Sequence, residues 1–225
     1  MAQTPNPELG ASFDGSLVDA PARDVRVLSS ELVANGYVWD LRRDRFAYGD
    51  TELVRDYIDH PGAVAVVALD DAGRVLLIQQ YRHPIAHRDW ELPAGLMDVA
   101  GEPGHLAAAR ELAEEADLAA ERWDLLIDLF LTPGGSSEAM RIFLARDVHP
   151  TEHTFEREAE EADMLTVWVP LEDAVPAVLE GRVKNAVTAG GILAAATSRS
   201  LDWSTLRPAD TAWPARDTVR GERSK

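Results

Sequence analysis

Leu92-Pro93-Ala94-Gly95-Leu96-Met97-Asp98-Val99-Ala100-Gly101-Glu102-Pro103 runs directly into Gly104-His105-Leu106-Ala107-Ala108-Ala109-Arg110-Glu111-Leu112-Ala113-Glu114-Glu115-Ala116-Asp117-Leu118, and this stretch decides how the chain is read. Its first half is a shaped loop, with glycine at 95 and 101 and proline at 93 and 103. Glu102 followed by Pro103 reads as a helix N-cap with proline in the first turn. The helix then runs to about Ala116, because Leu106, Ala109, Leu112 and Ala113 recur at helical spacing and give one face a core to pack on. Glu111, Glu114 and Glu115 fall on neighbouring turns of one face. Like charges three and four apart repel by a few tenths of a kcal/mol per pair. Such a face is either solvated acidic surface or a seat for a cation. All-oxygen ligands favour Mg2+ or Mn2+ over zinc.

The pattern Gly95, Glu102, then Arg110-Glu111-Leu112-x-Glu114-Glu115-x-x-Leu118 resembles the signature box of the Nudix hydrolases. Two departures stand out. One residue more than the family commonly has lies between Gly95 and Glu102, which alters the loop and not the helix. Asp117 occupies a position that is usually glycine, a mild change because Asp tolerates the left-handed conformation common just past a helix end. The resemblance implies an α/β fold, an α/β/α sandwich around a mixed sheet. It also implies that Glu111 and Glu115 hold divalent ions, with Glu114 as an additional ligand and the Ala94 carbonyl as a further oxygen. Gly95, Glu102 and Arg110 take structural positions of the box, Arg110 and Glu102 bracing loop and helix through an ion pair.

Beyond the box, roughly residues 20 to 200 resemble the ADP-ribose pyrophosphatase branch. The segments that carry this are Gln79-Gln80-Tyr81-Arg82, Glu91-Leu92-Pro93-Ala94-Gly95, Thr132-Pro133-Gly134-Gly135-Ser136-Ser137-Glu138 and Glu180-Gly181-Arg182-Val183-Lys184-Asn185-Ala186. A proline about fifteen residues past the box, here Pro133, is a hallmark of this branch. The implied reaction is Mg2+-dependent (or Mn2+-dependent) hydrolysis of ADP-ribose to AMP and ribose 5-phosphate. Other nucleoside diphosphate sugars are alternative substrates, and a non-catalytic domain that senses ADP-ribose is the alternative from a different class. The branch also implies a homodimer in which the N-terminal strands reach the partner.

The acidic stretch Glu156-Arg157-Glu158-Ala159-Glu160-Glu161-Ala162-Asp163 precedes an alternating run, Met164 to Val169, that reads as a strand. In the branch a glutamate before that strand acts as general base. Counting back without gaps from Gly181-x-x-x-Asn185 puts Glu160 there, with Glu161 as the alternative; a solvated acidic loop is the plain reading of the same residues. Arg82 suits a phosphate, since a guanidinium makes paired hydrogen bonds to phosphate oxygens, or is a surface arginine at a strand end. Trp39 could stack on adenine with Arg43 nearby for phosphate, or pack at an interface. Pro133, Gly134 and Glu138 are carried over as substrate-side residues of the loop.

With 225 residues, 46% of them hydrophobic, the chain can build one sizeable core plus a small accessory element. No apolar run is long enough for a membrane helix, and the N-terminus lacks a secretion-signal pattern. The absence of cysteine excludes disulfides and thiol catalysis and fits a cytoplasmic protein. A net charge of -17 argues against a nucleic-acid surface, and it requires cations and local arginines to invert the field around an anionic substrate. The expected organisation is a disordered N-terminus over 1–20, an N-terminal β arm over 21–58, a Nudix domain over 59–200 and a tail over 201–225 in which Trp203 and Trp213 offer docking points. Within the arm, strands are expected at Val25 to Leu28, Tyr37 to Arg42 and Leu53 to Ile58. Val64 to Leu69 and Val75 to Gln80, joined by Asp70-Asp71-Ala72-Gly73, read as a hairpin at the centre of the sheet.

Overall fold

The computed structural model describes residues 17–152, 155 and 164–221. The elements in chain order are β1 (Arg26–Ala34), β2 (Asp40–Tyr48), β3 (Thr51–Asp59), β4 (Ala63–Ala68), β5 (Arg74–Arg82), a 3-10 turn (His83–Ile85), β6 (His87–Glu91), β7 (Ala94–Leu96), α1 (Gly104–Ala116), β8 (Leu118–Phe130), β9 (Ala139–Pro150), β10 (Leu165–Pro170), α2 (Leu171–Leu179), α3 (Ala186–Ser200), β11 (Arg207–Pro208) and α4 (Pro214–Gly221).

The architecture follows from β4. Its six residues Ala63 to Ala68 are all apolar and all buried, so both faces must be covered and both edges paired. In the five-stranded sheet, ordered β11-β8-β9-β4-β7, β4 runs parallel to β9 and antiparallel to β7. Val64, Val66 and Ala68 point to the layer that holds Ala107, Ala108 and Leu112 of α1 together with Leu125 and Phe143. Ala63, Ala65 and Val67 point to the opposite layer, with Ile142, Leu144, Leu171 and Ala174 of α2, and Ile192 and Ala195 of α3. Helices thus cover both faces of a mixed sheet. Full burial of each valine, leucine or isoleucine in these layers contributes about 1.5–3 kcal/mol.

The expected central hairpin opens instead. β4 and β5 form no ladder beyond the isolated Leu69–Val75 bridge at the turn, and β5 lies in a separate sheet, ordered β10-β5-β6. The edges of β4 are already taken by β9 and β7, which leaves β5 to pair with β10 and β6. The turn itself forms: Gly73 N–H donates to the Asp70 carbonyl at 2.9 Å, and the Asp70 carboxylate accepts from Arg74 Nε at 2.6 Å.

Around the box, α1 begins one residue later than expected. Its N-cap is Pro103, without a side-chain hydrogen bond, because the Glu102 carboxylate is engaged by Arg110. At the other end Asp117 adopts the left-handed conformation, φ 54°, in the place usually held by glycine.

The N-terminal strands form their own antiparallel sheet, β1-β2-β3. Tyr37, Val38 and Trp39, expected at the start of the second strand, precede it. Asn35 Nδ2 donates to Asp40 Oδ1 at 3.2 Å across that turn. At the far end of the chain, Trp213 is buried against the α1 layer.

Candidate functional site

The short strand β7 pairs with β4, Ala65 opposite Ala94 and Val64 opposite Gly95, and so lays the loop along the acidic face of α1. Contact is close enough that a methyl group on Gly95 would overlap the Glu111 carboxylate. A larger residue here would have to push the Glu111 carboxylate off the loop. Four residues further along the helix, Glu115 is 6% exposed and its Oε2 accepts from the Ala94 N–H at 2.8 Å. Loop and helix are locked together through the residues that the box pattern singles out.

Arg110 sits at the centre of this charge cluster. It donates to both Glu102 oxygens at 3.1 and 3.2 Å, to Glu111 Oε1 at 2.6 Å and to Glu114 Oε2 at 3.1 Å. The bond to Glu102 leads the forces that hold its guanidinium above its ordinary pKa. Burial pushes the Glu111 carboxyl up, and although Arg110 pulls it down, Glu114 and Asp98 add to the rise. One arginine facing Glu102, Glu111 and Glu114 leaves the helix face net negative.

That balance bears on a cation. The donors are all hard oxygens: Glu111, Glu115 and the more exposed Glu114, with the backbone of Ala94 at the loop. A buried carboxylate with a raised pKa is relieved by a nearby positive charge. The set suits Mg2+ or Mn2+ and does not suit soft, thiolate-seeking metals. Among the described residues no three His, Asp or Glu side chains are already gathered into a metal cluster. Arg110 engages Glu111 and Glu114, and the Ala94 amide engages Glu115. The residues fit the ion as ligands that would reorient to take it.

A cleft of about 730 Å³ opens beside this cluster, with Ala94, Gly95, Trp39, His60, Arg82 and Glu138 in its walls. That volume is within the range of small-molecule sites. On one wall, Arg82 makes a two-pronged pair with Glu91, both contacts at 2.7 Å. Glu91 is buried and also accepts from Gln80 at 3.4 Å. The guanidinium is thereby held in one orientation while remaining 44% exposed. On another wall Trp39 tilts against His60, ring centroids 5.4 Å apart. His60 is buried; its Nδ1 accepts from the Gly62 N–H at 3.1 Å, and its Nε2 lies 3.7 Å from Glu138 Oε1. Burial raises the pKa of Glu138. A carboxyl perturbed in this way inside a cleft is a recognised mark of a working site.

The structure therefore brings Ala94, Gly95, Arg82, Trp39 and Glu138 to one cleft, with Glu111 and Glu115 in contact with the Ala94–Gly95 loop behind that wall. Other expected residues are elsewhere. Arg43 is not at the cleft: it faces Asp56 across the β2–β3 register and bonds it at 2.6 and 2.7 Å. Pro133 and Gly134 are exposed, and it is Thr132 and Ser136 of the same loop that line the cleft. Main-chain bonds between Ile58 and both Gly135 and Ser137 fix that loop to β3. Glu160 and Glu161 lie outside the described residues. Sequence reasoning missed His60 and the role of Glu91. A histidine entering a wholly apolar strand through Pro61-Gly62 was a usable signal, and so was a glutamate within the apolar Trp90–Leu92 run.

Comparison with known proteins places these features in a family. The family profile described as NUDIX domain matches residues 59–188. An ADP-ribose pyrophosphatase of Mycobacterium tuberculosis is 43% identical over 197 residues, covering 87% of this chain and 94% of the relative. One from Bacillus subtilis is 33% identical over 174 residues, covering 74% and 90%. In structure, a protein described as an ADP compounds hydrolase superposes with a TM-score of 0.67 at 21% identity, over 84% of this chain and 98% of the other, which speaks for the fold. With its glutamate-bearing helix, its glycine-floored loop and the profile match over more than half its length, this chain belongs to the Nudix family.

Proposed function

We propose that this protein hydrolyses the pyrophosphate bond of ADP-ribose, with Mg2+ or Mn2+, to give AMP and ribose 5-phosphate. The observation that carries the reading is the Ala94–Gly95 loop, which lines a cleft with Arg82 and Trp39 and is held from behind by Glu111 and Glu115. The names of the Mycobacterium tuberculosis and Bacillus subtilis relatives support the substrate.

The bound divalent ion would neutralise phosphate oxygens and make a coordinated water more acidic. Glu111 and Glu115, with Glu114, would hold it. Arg82, aimed by Glu91, would pair with a non-bridging phosphate oxygen and stabilise charge as it grows there. Trp39 offers its ring to the adenine, and Glu138 accepts from hydroxyl or amino groups of the substrate. Water attacks one phosphorus, a P–O bond forms as the bridging P–O bond breaks, and the water proton passes to a glutamate. By resemblance to the branch that base would be Glu160, with Glu161 as the alternative.

The same reading takes the protein as a cytoplasmic homodimer. Support for a second copy is the exposure of Val27, Leu32, Val33, Tyr37 and Val54 along the N-terminal sheet and the turn within it, apolar surface that another arm could cover. Among the described residues no helix is long and apolar enough to cross a membrane.

The deciding experiment incubates the protein with ADP-ribose, ADP-glucose and a dinucleoside polyphosphate, with and without Mg2+, and identifies the products. Metal-dependent AMP and ribose 5-phosphate, with the best kcat/KM on ADP-ribose, is the expected result. A better rate on another nucleoside diphosphate sugar would move the substrate, and tight binding without turnover would favour a sensing domain. Glu160→Gln should lower the rate on the order of a hundredfold or more. An unchanged rate would remove Glu160 from the mechanism and direct the test to Glu161→Gln.

A further inference from the structure

The C-terminal segment lies outside the family match, which ends at residue 188, yet its side chains reach the loop that carries Ala94 and Gly95. β11 adds to the free edge of β8, Arg207 opposite Leu125. Arg141, on β9 and 3% exposed, pins the next stretch from inside. Its guanidinium pairs with Asp128 at 2.7 and 3.2 Å and donates to the carbonyls of Thr211 at 2.6 Å and Ala212 at 3.1 Å. Trp213 then covers that guanidinium, 4.7 Å from its ring centre. A buried arginine needs such complete pairing to offset its desolvation, so the segment has one well-defined course.

What that course delivers is Arg216. Its Nε donates to the Pro61 carbonyl at 2.9 Å and its Nη2 to the Met97 carbonyl at 3.2 Å, with Trp213 beside it. These two carbonyls flank the β4–β7 pair, in which Ala63, Val64 and Ala65 face Leu96, Gly95 and Ala94. Met97 N–H also donates to the Gly62 carbonyl at 3.0 Å. β7 is a three-residue strand at the end of the sheet order, too short to hold itself rigidly. Gly62 has φ +92°, and a Cβ there would stand 3.0 Å from Arg216 Nε, so the backbone is shaped to admit this side chain closely.

We propose that residues 207–221 form a strap that braces the Ala94–Met97 loop from behind, and that Arg216 is the positioning residue that sets this loop against Glu111 and Glu115. The effect on turnover rests on the hydrolase reading above; the bracing of the loop does not. Arg216 touches no reacting atom. It acts by fixing the backbone on which Gly95 and the Ala94 amide meet the helix, and small displacements of such groups cost rate steeply.

The test compares full-length wild type with Arg216→Ala, Arg216→Lys and, as a surface control, Arg199→Ala, whose guanidinium lies 3.7 Å from exposed Glu172 and beside Gly73, away from residues 94–97. Amide hydrogen exchange of the metal-free proteins is the primary readout. In Arg216→Ala, exchange across residues 94–97 should quicken about tenfold or more, as expected for a local opening, while α1 and β8 keep wild-type protection. Arg216→Lys keeps a cation beside Trp213 with a single donor nitrogen, so it should fall between the two, and it serves as the decisive variant if Arg216→Ala does not fold. With Mg2+ and ADP-ribose, kcat should fall on the order of tenfold to a hundredfold and the Mg2+ concentration for half-maximal rate should rise, with Arg199→Ala unchanged in both. Wild-type exchange at 94–97 in the Arg216 variants would overturn the proposal. Exchange quickened equally across α1 and β8 would overturn it too, since that is general destabilisation. If wild type does not hydrolyse ADP-ribose, the hydrolase reading falls while the exchange comparison still decides the brace.

Discussion

The N-terminal sheet and the five-stranded sheet are built from opposite materials. β4 is six buried apolar residues, whereas β2 carries Arg42, Arg43 and Arg45 and pairs them across the sheet surface with carboxylates such as Asp56 and Glu52. One sheet is held by burial on both faces; the other has mostly exposed ion pairs, which solvent screens to little net stability, and leaves Val27, Leu32 and Val54 in contact with solvent. The difference teaches which parts of the site are rigid. Ala94, Gly95 and the glutamates behind them stand on the buried sheet and α1, while Trp39, which is 43% exposed, reaches the cleft from the arm. Rigid chemistry and an adjustable substrate wall are thus assigned to different regions. The arm joins the core at few points, among them the Ile58 main-chain bonds to Gly135 and Ser137 and the Trp39–His60 contact.

If the rigid region governs chemistry, the largest effect should come from disturbing it where the loop meets the helix. Gly95→Ala would place a methyl group in the space of the Glu111 carboxylate. Turnover should fall by at least about a hundredfold with far-ultraviolet circular dichroism unchanged. Wild-type turnover in this variant would show that Glu111 leaves the loop in the working enzyme. Next in size is Glu91→Ala, which removes the buried partner of Arg82. It should destabilise the protein by about 1–3 kcal/mol and lower kcat/KM roughly tenfold. Loss of stability with intact kcat/KM would make the pair purely structural.

A subtler effect is written into Glu138, where burial raises the carboxyl pKa. An acid whose folded pKa lies above its unfolded value, near 4.3, opposes folding while ionised in both states. That penalty is full above the folded pKa and fades as pH falls toward the unfolded one. Glu138→Gln should therefore raise the melting temperature of the metal-free protein near pH 7, with the gain shrinking as pH falls toward about 4.3. Thermal melts of both proteins across that range are the check. A gain that grew in acid would mean that His60, 3.7 Å away, favours the carboxylate more than burial opposes it.

Much of the buried region was legible from residues alone because its signals are local. The helical spacing of Leu106, Ala109, Leu112 and Ala113, the acidic face at Glu111 to Glu115 and the left-handed Asp117 are all settled within a few turns of chain. Where the sequence misled, the decision was made at a distance. Val64 to Gln80 reads as a hairpin because its turn is correct, yet β4 pairs with β9, whose residues are more than seventy positions away. Local turn chemistry cannot report that competition. The Arg110–Glu102 pair, eight residues apart, forms as the box pattern implies, whereas Arg216 meets Pro61 and Met97 from 155 and 119 positions away. The tryptophans of the tail suggested docking, but no local pattern could say onto what.

The smallest expected effect tests the arm most directly. Within one chain Arg43 belongs to the surface, bonded to Asp56 and 3.8 Å from Glu31. Hydrogen bonding to Asp56 holds the Arg43 pKa up and the Asp56 pKa down, as expected of a charge pair in water. Arg43→Ala should thus leave stability nearly unchanged, since solvent screens an exposed pair, and a monomeric enzyme would keep its kcat/KM. The homodimer reading makes a different demand, because a strand that crosses to the partner could present Arg43 to the partner's cleft. A fall in kcat/KM without a matching fall in melting temperature would place this arginine in a shared site. If the sedimentation of Arg43→Ala matched wild type, that loss would come from substrate contact and not from dissociation. An unchanged kcat/KM would confine Arg43 to holding β2 against β3, and the arm would then contribute to the cleft through Trp39.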